Sequence, residues 1–182
     1  MRLRSLGLIA LALLGGCSDW KKPGGAAEGY KRNTAQTELH VPKAAPLLFQ
    51  AKVEGVGVYS CEGADPNAWT YRITEATLFD EQSRQIGVQA IRFPSKGTWT
   101  MHDGSIVSGE TIQTVPAVKA LPWLLVAVRD HRGAGTLANV ESIRQIATKG
   151  GVPPVALCTE NGSELRVPFS AVQQFYGAGE PE

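Results

Sequence analysis

The chain has 182 residues, 43% of them hydrophobic, and a formal net charge of +1. That length fits one folded domain with short appendages, and that hydrophobic share is enough for an ordinary core. A near-neutral chain has no field to draw nucleic acid or an anionic surface, so nucleic acid is not an expected partner.

The chain opens on Arg2 and Arg4, runs almost wholly apolar from Ser5 to Leu14, and then reads Gly15-Gly16-Cys17. A basic start, an apolar stretch and small residues form the layout of a secretory signal peptide, assigned to residues 1–16. The apolar stretch is too short for a mature transmembrane helix, which needs about 20 residues. Leu14-Gly15-Gly16-Cys17 resembles a bacterial lipobox. The resemblance implies cleavage before Cys17 and a lipid, such as palmitate, on its thiol. The expected location is the bacterial cell envelope, with the membrane as partner through Cys17. Ser18 fits transport to the outer membrane, the site expected here, while Asp19 leaves inner-membrane retention open.

Residues 17–45 read as a lipidated, flexible tether. They hold Lys21-Lys22-Pro23-Gly24-Gly25 and few large apolar groups, so little burial offsets chain entropy. The folded domain is expected over residues 46–177, with a tail at 178–182.

The domain has the texture of short strands. Val56–Cys61 alternates with glycine and tyrosine. Trp69-Thr70-Tyr71-Arg72-Ile73 sets Trp69, Tyr71 and Ile73 on one face, and Thr98–Met101 is a further β-prone run. Leu124–Val128 is apolar on both sides, as in a central strand. Asn139–Thr148 suits either a helix or a strand. Leu165–Phe169 alternates, with Pro168 arguing for an edge or a strand end. Turn signals separate these runs, and Asp103-Gly104 and Asn161-Gly162 suit two-residue hairpins. The expected fold is mainly β: an antiparallel sandwich or barrel-like domain of many short strands with little helix.

Setting Cys17 aside leaves Cys61 and Cys158, an even pair in an oxidising compartment, and a disulfide is expected between them. It would close a loop of about a hundred residues, worth roughly 4–5 kcal/mol on the chain-entropy model.

A series of landmarks now lines up: Gly57-Val58-Tyr59-Ser60-Cys61, Trp69, Ala76–Asp80, Gly97-Thr98-Trp99, Asp103-Gly104-Ser105, Leu121–Leu125, Ile143–Gly151, Cys158 and Val167-Pro168-Phe169. In this order they resemble the secreted bacterial and fungal domains grouped as domain of unknown function 3455. The resemblance covers about residues 47–176. It implies a mainly β fold and a secreted habit, and it carries no activity or catalytic residues. No strand-to-helix Gly-x-Gly-x-x-Gly segment is present for a dinucleotide.

Chemistry-bearing residues are sparse. The histidines are His40, His102 and His131, none at ligand spacing from another, so neither a metal nor any other cofactor is expected. Ser105 and Ser108 follow His102 but lack a nucleophile elbow. Asp80, Glu81, Asp103, Glu110 and Asp130 are carboxylates beside turns, whose separations the sequence does not give. Trp69 and Trp123 read as core. Trp99, with His102 and Asp103 close behind it, is the candidate ligand-binding set, the indole giving area and the polar pair direction. The expected function is a lipid-anchored module that binds a glycan or a small apolar ligand. The alternatives are a cell-surface hydrolase and a surface-interaction protein without a small-molecule site. No feature sets the oligomeric state.

Overall fold

A computed structural model describes residues 38–62, 69–92, 96–154 and 158–180. The expected β domain is a barrel rather than a sandwich. Eight strands follow one another around a closed ring: β1 (Leu47–Cys61), β2 (Trp69–Phe79), β3 (Gln85–Arg92), β4 (Lys96–Met101), β5 (Ile106–Ala117), β6 (Ala120–Arg132), β7 (Ser142–Gly150) and β8 (Glu164–Tyr176). Every neighbour is antiparallel, and β8 closes on β1 through a register running from Leu47 opposite Tyr176 to Ser60 opposite Glu164. Among the described residues there is no helix, and Asn139–Thr148 contributes to strand β7.

Alternation of side chains builds the barrel. On β1, Ala51 and Val53 point inward while Lys52 and Glu54 are exposed. On β4, Gly97, Trp99 and Met101 alternate inward in the same way. A strand of period two must do this, and apolar-in with charged-out is the reverse of a barrel that spans a membrane. One bulge breaks the expected pattern on β2. Val58 faces Ile73 and Tyr59 faces Tyr71, so Arg72 is left over. Tyr71 and Thr74 therefore turn to the interior, and Ile73 does not share Tyr71's face.

Closure also changes the reading of Pro168. The barrel has no edge strand, and Pro168 sits within β8, opposite Val56 on one side and beside an irregular stretch of the β7 ladder on the other. A missing N–H is tolerated at such an irregularity. The two expected hairpins are longer than two residues. Residues 102–105 join β4 to β5, and Asn161-Gly162 belongs to the connection of residues 151–163.

One end of the barrel is filled. The main core gathers Leu78, Trp99, Val107, Leu137, Val140 and Phe175, all fully buried. Leu137 and Val140 come from the β6–β7 connection, which plugs this end. Residues before the expected boundary at residue 46 pack on the barrel. Leu39 is buried beside Val115 and Leu125, with Val41, Trp123 and Ile146 packed around them. The His40 N–H donates to Gln113 Oε1 at 2.8 Å. The last residues assigned to the tether thus lie against the barrel.

Candidate functional site

The expected trio is not assembled into a surface. Trp99 is wholly buried in the barrel, whereas His102 and Asp103 are exposed on the β4–β5 connection at the plugged end. Gly97 explains the indole's place: a Cβ there would lie 2.5 Å from Trp99 Cη2, so the ring lies over a bare position of its own strand. Trp69 and Trp123, expected in the core, are only half buried. Trp123 stands at the outer cluster with Leu39 and Leu125.

Asp103 has a structural task. Its Oδ1 accepts from the Ser105 N–H at 2.9 Å and hydroxyl at 2.6 Å, and its Oδ2 from the Thr136 N–H at 2.7 Å and hydroxyl at 2.6 Å. Those hydrogen bonds, led by the Ser105 hydroxyl and then Thr136, hold its carboxyl well below the usual carboxylate range. Ser105 Oγ in turn accepts from the Leu137 N–H at 3.2 Å. The carboxylate ties the hairpin to the segment that carries Leu137, and so secures the plug. His131 does similar work, with Nε2 2.8 Å from the Val140 carbonyl.

The opposite end is hollow. A cavity of about 410 Å³ opens there, walled by Tyr59, Tyr71, Ile91, Leu121, Leu124 and Val152. Thr74, Thr111, Thr114 and Gln145 add polar points to an apolar surface, and Arg92 stands at the end of β3. An eight-stranded barrel is just wide enough either to be filled by side chains or to hold one small ligand. This one does each at a different end.

A polar layer lies in the interior. Trp99 Nε1–H donates to Gln173 Oε1 at 2.9 Å. An indole nitrogen only donates, so Gln173 must turn its oxygen to Trp99 and its amide nitrogen the other way. That nitrogen donates to Gln145 Oε1 at 2.9 Å and to Gln89 Oε1. All three glutamines are buried. Buried amides are costly unless paired, and the chain of donors and acceptors pairs the Gln173 amide and the Gln89 and Gln145 oxygens, leaving the Gln89 Nε2 buried without a hydrogen bond. Gln145 also lines the cavity. Its oxygen is taken by Gln173, so its N–H₂ is what it offers to an occupant.

The mouth is braced. Cys61 and Cys158 form a disulfide with Cα atoms 5.5 Å apart, joining the end of β1 to the β7–β8 connection. The Tyr59 hydroxyl donates to the Gly151 carbonyl at 2.6 Å, and Tyr71 donates to the Ile91 carbonyl at 3.0 Å. The two rings meet edge to face, centroids 5.5 Å apart. Burial, then the neighbouring Tyr71, pushes the Tyr59 hydroxyl up to about 12, and burial raises Tyr71 as well.

No group of three or more His, Cys, Asp or Glu is gathered as a metal site among the described residues. Asp80 is used by Arg84, Glu110 by Arg129 and Asp130 by Arg132, all on the outside. Cys17 lies outside the described residues. The cavity itself escaped the sequence reading because its wall draws one to three residues from each of β1, β2, β3, β5, β6 and β7. Only the inward alternation of those strands hinted at a common interior.

A family model described as "Protein of unknown function (DUF3455)" matches residues 42–177. No curated protein and no solved structure matches the chain.

Proposed function

We propose that this chain, which belongs to the family of proteins of unknown function DUF3455, is a binding barrel that takes a small apolar molecule into the open end of its interior. The observation that carries the reading is the cavity of about 410 Å³ with its wall of Tyr59, Tyr71, Ile91, Leu121 and Leu124. That volume falls within the usual range for small-molecule sites, and a mostly apolar wall with a few convergent polar groups is their usual chemistry. An apolar occupant suits this wall better than a glycan, whose hydroxyls would lose water against Ile91, Leu121 and Leu124.

Binding fits better than hydrolysis. The lining contains no carboxylate, histidine, serine or cysteine among its described residues, so none of these supplies a general base. The buried Tyr59 hydroxyl, held up at about 12 and donating to Gly151, keeps its proton at neutral pH. The proposed setting is the bacterial envelope, with Cys17 lipidated and the barrel carried beyond the membrane. The motif Leu14-Gly15-Gly16-Cys17 supports that part of the reading.

Titration of the purified full-length chain with 1-decanol, followed by calorimetry, tests the binding reading. Wild type is expected to take up one molecule. Leu124→Trp is expected to abolish the binding while the protein still melts cooperatively, because the indole fills the cavity. Absence of binding to wild type, or unchanged binding to a folded Leu124→Trp, would contradict the reading.

A further inference from the structure

We propose that the occupant of the cavity is an anionic amphipath, a medium-chain monocarboxylate in the simplest case, whose head is held at the mouth by Arg92. This rests on the cavity reading above and names the ligand class.

Arg92 is the one charged side chain among the described residues that line the cavity. Each of the other described arginines has a partner. Arg72 is paired with Glu62, Arg84 with Asp80, Arg129 with Glu110, Arg132 with Asp130, and Arg166 with Glu75 and Glu164. Arg144 donates to Gln174 and lies over Tyr176. Among the described arginines only Arg92 has a side chain that makes no hydrogen bond or ion pair. Its partner on β4 is Lys96, also exposed, so two cations stand opposite one another at this corner of the mouth; Lys96 in turn faces Glu110 on β5, a carboxylate paired with Arg129. Like charges placed so are unfavourable unless an anion lies between them. A guanidinium fork matches a carboxylate in shape and charge.

Size and polarity set the rest of the molecule. An apolar cavity of roughly 150 Å³ accepts a benzene ring. On that scale about 410 Å³ takes roughly sixteen non-hydrogen atoms. The wall below the mouth is Ile91, Leu121 and Leu124, which suits a tail. Among the described lining residues no carboxylate is present to repel the head.

The test compares decanoate with 1-decanol, two ligands of the same chain length, on the full-length protein and on Arg92→Gln. Arg92 is exposed, so the variant is expected to melt as wild type does. Loss of a charge-assisted contact should weaken decanoate about tenfold or more. Decanol should change less than twofold, and added salt should weaken decanoate alone. Decanoate binding that survives Arg92→Gln, or an equal loss for both ligands, overturns the head assignment and leaves the cavity reading standing. Failure of both ligands to bind wild type overturns the cavity reading itself.

Discussion

Trp99 shows how a residue's surroundings in sequence differ from its surroundings in space. Its neighbours Lys96, His102 and Asp103 are polar, which suggested an exposed ring. Its alternation with Gly97 and Met101 points it inward, and its indole N–H finds Gln173, seventy-four positions away in the chain. Only the closed ring brings β4 and β8 to face one polar layer. Trp99→Ala is expected to cost roughly 3–5 kcal/mol of stability, through the void and the unpaired Gln173 oxygen. His102→Ala, on an exposed turn, is expected to change stability by less than about 0.5 kcal/mol. Chemical denaturation of the two variants checks the contrast, and equal effects would contradict a buried indole. Tyr59 gives a pH signature at the same scale. An unfolded tyrosine loses its proton near pH 10, while the folded hydroxyl keeps it up to about 12. The stability it contributes is therefore complete below about pH 10 and is lost as pH rises through 12. The steepest loss is about 1.4 kcal/mol per pH unit. Melts between pH 9 and 12 should slope less in Tyr59→Phe, and an unaltered slope would count against the buried hydroxyl.

Among the elements, the strands were legible and their ends were not. The alternating runs at Val56–Cys61, Thr98–Met101 and Leu165–Phe169 all lie within strands, because period-two burial is written directly in the residues. The face shared by Tyr71 and Thr74 was hidden, since the bulge at Arg72 comes from pairing with β1 and leaves no local signal. Pro168 was misleading for a related reason: an edge is a property of the whole sheet, and a closed sheet has none. The cysteine pair could be read from parity and compartment alone. Its place in the fold gives it a consequence, because Cys61 and Cys158 fasten the β7–β8 connection beside the mouth. Cys61→Ala and Cys158→Ala are each expected to lower stability by roughly 2–5 kcal/mol, and the double variant by little more, since both remove one crosslink. Two free thiols by mass spectrometry of the unreduced protein would contradict the bridge.

At the level of the whole molecule, the barrel is divided along its axis. The plugged end is held by Asp103, Ser105 and Thr136 around Leu137. The polar layer of Trp99, Gln89, Gln145 and Gln173 lies inside. The other end stays hollow and apolar up to Arg92. On the proposed reading this division turns a stable fold into a container, with the plug carrying stability and the open end exchanging a ligand. The class of the fold was within reach of strand patterning, whereas the cavity was not. Its wall is assembled from one to three residues on each of six strands, and nothing in one strand marks it.

The most direct measurement of that division is a titration of the ¹⁵N-labelled full-length chain with 1-decanol, followed residue by residue through the amide resonances. The amides of Thr74, Ile91, Leu124 and Gln145 are expected to shift together along one saturable curve, while those of His102, Gly104, Gly133 and Thr136 at the plugged end stay still. Shifts spread over the outer faces of the strands, or no saturable shift at the cavity wall, would show that the open end of the barrel is not a binding site.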